Sequence, residues 1–200
     1  MARMARRGSP SRVVEALSPS NAVWKGWGVS VWSAAEIAMA LEQADARLAP
    51  RPISNQPPYN LLERGIEADV LPFCASEGLG QLVFSPLAQG ILTGKYSGGR
   101  LPEGSRAADG KRNIFMKQKM SRENLDRVDR MAKLARELSL EPAQLALAWC
   151  LRDPRVSSAI VGATCPEQVR ENARAAGVRL PPEALARLDD LFPGPGPREA

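Results

Sequence analysis

Apolar and polar positions change period several times along the chain, and each change marks an element. Val23-Trp24-Lys25-Gly26-Trp27-Gly28-Val29-Ser30 reads as a buried strand, and Ser33-Ala34-Ala35-Glu36 has the form of a capping box opening a helix through about Ala46. Pro52–Gln56 predicts a second, short strand. An amphipathic stretch from Leu61 to Glu77 follows, closed by Gly78 and divided by Pro72. Gln81–Ser85 predicts a third strand. The segment from Pro86 to about Met120 is rich in Gly, Pro and Lys, and is longer than a compact domain tolerates in a loop unless the loop covers a site. Leu125, Val128, Met131, Leu134, Ala135 and Leu138 then recur at helical spacing within Ser121–Leu138. Pro142 sits early in a helix to about Arg152, and Val156–Val161 predicts a fourth strand ending at Gly162. Pro166-Glu167-Gln168 opens a helix to about Gly177, and a last helix spans about Pro182–Leu191.

Strands of this near-continuous apolar kind, alternating with helices, predict an α/β fold with parallel strands covered by helices. Doubly wound sheets and eightfold barrels both fit. No strand is followed by GxGxxG and no GxxxxGK[ST] loop occurs, which puts the barrel ahead; four strand–helix units make half of one. Residues 1–21 mix Arg, Ser and Pro without periodicity and read as a poorly ordered basic tail. Residues 22–192 form the domain, and 193–200 a Pro/Gly tail.

The net charge of +5 is concentrated at Arg3, Arg6, Arg7 and Arg12, so no nucleic-acid partner is expected. Apolar runs fall short of the roughly 20 residues of a membrane helix, and no apolar core follows the first arginines. A cytoplasmic location without membrane contact is the expectation. Cys74, Cys150 and Cys165 form no CxxC pair and are odd in number, which argues against a disulfide framework and a zinc site. The chain has 0 histidines, which removes histidine triads and histidine-ligated metals; no metal site is assigned.

Five segments carry a resemblance. They are Trp27-Gly28-Val29-Ser30; Asn55-Gln56-Pro57-Pro58-Tyr59-Asn60-Leu61; Phe84-Ser85-Pro86-Leu87-Ala88-Gln89-Gly90 with Leu92-Thr93-Gly94-Lys95-Tyr96; Ala148-Trp149-Cys150-Leu151-Arg152; and Gly162 through Asn172. In this order and spacing they resemble the aldo-keto reductase superfamily, in the branch of the potassium-channel beta subunits and related bacterial reductases. The resemblance implies a partial (β/α)8 TIM barrel, with the strands of this chain in places five to eight, and NADP(H) as cofactor.

The resemblance assigns roles residue by residue. Ser30 and Gln56 match positions that hydrogen-bond the nicotinamide carboxamide; Val31 departs from a site that is more often polar. Phe84 matches the aromatic that stacks on the nicotinamide ring. Ser85, Leu87, Gln89, Gly90 and Leu92 match the loop folded over the pyrophosphate, where small residues let backbone amides approach an anion. Lys95 and Arg106 match basic positions near the phosphates. Gly162, Thr164, Gln168, Glu171 and Asn172 match the site of the 2'-phosphate ribose and adenine, at a strand end and helix N-terminus.

The family's tyrosine, lysine, aspartate and histidine, which supply the proton in carbonyl reduction, match nothing in this sequence. Tyr59 and Tyr96 match non-catalytic positions, so no catalytic residue is assigned. The resemblance therefore implies an oxidoreductase acting on a small-molecule carbonyl only if an N-terminal half completes it. A homodimer and a complementing half-barrel both remain open as partners. A non-catalytic NADP(H)-binding or regulatory module, and a non-functional gene fragment, remain open beside them.

Overall fold

The computed structural model describes residues 3–5, 26–103, 116 and 119–196. Its strands are β1 (Arg3–Ala5), β2 (Trp27–Ser30), β3 (Ser54–Gln56), β4 (Gly80–Phe84) and β5 (Val156–Ile160). They form one parallel sheet in the order β1-β2-β3-β4-β5. Space thus follows sequence, without the reversal of strand order that marks a doubly wound sheet. Arg3–Ala5 lies in the segment expected to be an unstructured tail; its backbone instead pairs with β2 in the register Arg3 to Trp27.

The register sorts side chains by face. Val29, Asn55 and Gln81 are aligned across β2, β3 and β4, and with Trp27 and Val83 they are buried. Ser30 is aligned with Gln56 and Phe84 with Ile160 on the opposite face, where these residues are exposed or half-buried. Gly28 belongs to this second face, and a Cβ there would lie 2.4 Å from Ser54 Oγ, which fixes the close β2–β3 approach. The buried face carries the helices.

The helices are α1 (Ala34–Ala46), α2 (Val70–Ser76), α3 (Arg122–Glu137), α4 (Pro142–Leu151), α5 (Pro166–Arg174) and α6 (Pro182–Leu191). Helix α1 begins with the expected capping box: Glu36 N–H donates to Ser33 Oγ, and Ser33 N–H donates to Glu36 Oε2 at 2.8 Å. The stretch 61–77 differs from expectation. Pro72 falls in the first turn of α2, where no backbone donor is needed, so a short helix starts at Val70 after a 3-10 turn at Gly65–Glu67.

Two apolar clusters result. Trp27, Val29, Ile37, Leu41, Val70 and Cys74 join β2, α1 and α2. Tyr59, Val83, Ile91, Met131, Leu145, Trp149 and Leu188 join β4, α3, α4, α6 and the loop after β4. Gln144 through Cys150 are all buried, so α4 is the central helix of the second cluster. Among the described residues no helix is long and apolar enough to cross a membrane.

Candidate cofactor site

A cleft of about 700 Å³ opens at the carboxyl ends of β4 and β5. Parallel α/β sheets bind ligands at that end, because there the loops diverge over the strand termini. Three walls form it: the loop after β4, the turn from β5 into α5, and the first turn of α4.

The β4 loop is the most constrained. Ser85, Ala88 and Gln89 have φ of 54°, 46° and 60°, and Gly90 has 95°. A side-chain-bearing residue costs about 1 kcal/mol or more in the left-handed region, so the surroundings must impose this shape. Ala88, Ile91 and Leu92 plug the loop into the core. From below, the fully buried Asn60 donates through Nδ2 to Ser85 O at 3.0 Å, and Gln89 Nε2 donates to Ser85 Oγ at 2.8 Å. Tight turns mixing left- and right-handed residues gather backbone N–H groups into an anion-binding concavity. Lys95 stands over this loop, its Nζ 3.0 Å from where a Cβ on Gly90 would be.

The second wall begins where β5 ends. Gly162, Ala163 and Thr164 lead to Cys165 at the N-cap of α5 and Pro166 in its first turn. Gln168 Oε1 accepts from Thr164 N–H at 2.9 Å and from the Thr164 hydroxyl at 3.2 Å. Glu171 and Asn172 follow Gln168 by three and four residues, which sets all three on one face of α5. In the third wall, Gln144 Nε2 donates to Glu171 O at 3.3 Å and joins α4 to α5.

The fold brings most of the expected site together. Phe84, Ser85, Leu87, Gln89, Gly90, Lys95, Gly162, Thr164, Gln168, Glu171 and Asn172 all line the cleft. Ser30 and Gln56 are cross-strand neighbours outside it, with Ser30 Oγ donating to Gln56 O at 3.0 Å. Leu92 lies outside the lining of the cleft, with its side chain fully buried in the core and its N–H donating to Leu87 O at 3.3 Å, where it anchors the loop. Arg106 lies outside the described residues. Thr93, Glu141, Pro142 and Ile160 also line the cleft. Thr93 belongs to the quoted motif of the β4 loop itself, whereas Glu141, Pro142 and Ile160 reach the cleft only through the packing of α4 and β5 against that loop.

Neither tyrosine reaches the cleft; Tyr59 and Tyr96 are fully buried. Burial raises the Cys74 thiol and pushes that of Cys150 up to about 12, so both are inert core thiols. Among the described residues no group of acids, cysteines or histidines is placed to hold a metal.

The profile of the aldo/keto reductase family matches residues 23–192. The chain belongs to the aldo/keto reductase family. The aldo/keto reductase match takes in every described wall of the cleft. Similar proteins include a voltage-gated potassium channel subunit beta of Schizosaccharomyces pombe, 41% identical over 171 residues, 83% of this chain and 49% of that protein. A channel subunit beta of Oryza sativa subsp. japonica is 40% identical, covering 82% and 51%. An L-glyceraldehyde 3-phosphate reductase of Escherichia coli O157:H7 is 40% identical over 139 residues, 68% of this chain and 40% of that enzyme. The chain spans about half the length of these curated relatives or less.

Proposed function

We propose that residues 22–192 are the cofactor-holding portion of an aldo/keto reductase barrel, with β2–β5 as its fifth to eighth strands, and that the cleft binds NADP(H). One observation carries the reading: two loops far apart in sequence, 84–95 and 162–172, meet in a single cleft at the carboxyl ends of parallel strands. The sequential strand order and the single helix-covered face support the barrel placement.

The residues suit a dinucleotide. Phe84 offers a half-buried ring at a strand end, where it can back a flat heterocycle and shield one face of it. The left-handed loop and Lys95 fit a pyrophosphate, and Gln168, Glu171 and Asn172 fit a ribose and a base. Ser30 and Gln56, on the same sheet face as Phe84, orient the carboxamide. When bound, the nicotinamide supplies a hydride to a carbonyl. The protein's part in this chain is to hold the ring, fix its exposed face and bind the phosphates; no group here is assigned to proton transfer.

Carbonyl reduction then requires a further, N-terminal barrel half, contributed by a complementing chain or segment, with cytoplasmic residence. A non-catalytic NADP(H)-binding regulatory module is the second reading, favoured by the relatives named as channel beta subunits.

Titration of the protein with NADPH, followed by quenching of its tryptophan fluorescence, tests the cofactor reading. Saturable binding is expected, weakened about tenfold by Phe84→Ala and by Gln168→Ala. No binding at high micromolar nucleotide would refute it. Turnover of an aromatic aldehyde with NADPH by residues 1–200 alone would refute the need for a further half.

A further inference from the structure

Helix α5 brings Gln168, Glu171 and Asn172 to the cleft, yet it buries none of its own side chains. Val169, its one branched apolar residue, is 57% exposed. At 9 residues α5 is shorter than the roughly 12 to 15 that an isolated helix needs in water, and it has no buried apolar face to make up the difference. Its neighbour α4 is the opposite case, buried from Gln144 through Cys150.

The junction between the two helices is polar. At its C-cap α5 tightens into a 3-10 turn at Ala175–Gly177, where Ala175 is buried. In a continuing α-helix the Ala175 N–H would serve the Glu171 carbonyl; here it donates to Asn172 O and Ala173 O. Gln144 Nε2 donates to the Glu171 carbonyl instead, at 3.3 Å. The oxygen of the same carboxamide accepts from Glu141 N–H at 3.1 Å. A carboxamide oxygen can only accept and its NH2 can only donate, so a single orientation of Gln144 serves both bonds and a flip would break both. Gln144 is buried and does not line the cleft, whereas Glu141, Pro142 and Ala143 do. A side chain rooted in the core thus holds the turn of α5 that carries Glu171 and Asn172.

We propose that Gln144 is a positioning residue for the cofactor: by holding the Glu171 carbonyl, its Nε2 fixes Gln168, Glu171 and Asn172 for the adenosine half of NADP(H). This rests on the cofactor reading above. A wall fixed in advance spares the ligand the cost of ordering it, and α5 has little apolar burial to fix it otherwise.

The test measures Kd on the wild type, Gln144→Glu and Gln144→Met for NADPH, adenosine 2',5'-bisphosphate and reduced nicotinamide mononucleotide. Gln144→Glu keeps an oxygen for the Glu141 N–H and removes the donor to Glu171; Gln144→Met removes both without adding charge. Both variants should bind NADPH and the bisphosphate roughly threefold to tenfold more weakly and the mononucleotide as the wild type does. Amide hydrogen exchange across Pro166–Arg174 should speed up in both. If Gln144 served only the start of α4, Gln144→Glu would match the wild type and Gln144→Met would weaken all three probes by one factor; either result overturns the proposal. So does a loss confined to Gln144→Glu, which would be an effect of charge alone, and so does unchanged exchange in both variants. Each of these leaves the cofactor reading intact, whereas a wild type that binds none of the three probes overturns both.

Discussion

At the residue scale, two side chains carry more consequence than their surroundings suggest. Val31 is β-branched, 42% exposed and held at φ 60°. Its N–H donates to Gln56 O at 3.1 Å, the carbonyl that also accepts from Ser30 Oγ, so the strained residue locks the ends of β2 and β3. Asparagine tolerates this conformation far better than valine. Val31→Asn is expected to raise stability by about 1 kcal/mol in chemical denaturation, and a lowered midpoint would contradict the strain argument. Glu67 is the second. Tyr59 OH donates to it at 2.6 Å, Arg64 Nη2 at 2.8 Å and Arg152 Nη2 at 3.3 Å, while Arg64 also reaches Asp189. Burial pushes the Glu67 carboxyl up, but the bonds from Arg64 and Tyr59 and the charges of Arg64 and Arg152 outweigh it and leave the group below its ordinary value. A depressed folded value contributes stability that is present above the unfolded carboxyl pKa and lost as pH falls through the folded one. Glu67→Gln should cost about 2 kcal/mol at neutral pH and flatten the acid side of the stability profile; an unaltered acid limb would show that other carboxyls govern it.

At the element scale, helix starts follow local rules while the loop after β4 does not. Ser33 and Glu36 close their capping box within four residues, so Ser33→Ala should cost about 1 kcal/mol, read as a lower melting temperature without loss of the cleft. The left-handed run at Ser85, Ala88 and Gln89 has no such local cause. It is imposed by Asn60 beneath it and by Ala88, Ile91 and Leu92 in the core. Asn60→Ala removes the bond to the Ser85 carbonyl and should loosen nucleotide binding at least threefold while leaving helix content unchanged. Equal affinity in that variant would mean the core anchors alone shape the loop.

At the scale of the whole molecule, the described helices cover one face of the sheet, and among the described residues no helix covers the other. Parallel sheets are almost always covered on both, since βαβ crossovers and barrel closure bury each face. Here Gln56, Leu82 and Phe84 remain half-buried, and Ile160 is 44% exposed on β5, the last strand in the sheet order. Residues 1–200 prepared alone should therefore self-associate, with a sedimentation coefficient that rises with concentration and dye binding that falls in step. A concentration-independent monomer that binds no hydrophobic dye would be incompatible with an open apolar face.

The sequence by itself determined the α/β alternation and the capped helix starts, because these depend on short-range periodicity or on residues a few positions apart, and its family resemblance marked the two motif groups that line the cleft. Tertiary structure decided the rest. It alone turned Leu92 into the core and brought Glu141 and Ile160 into the cleft wall. It alone set Asn60 beneath the left-handed loop and Tyr59 against Glu67 and Arg152. These placements join residues separated by tens of positions, and only the packing of helices on one face of a parallel sheet fixes which of them meet.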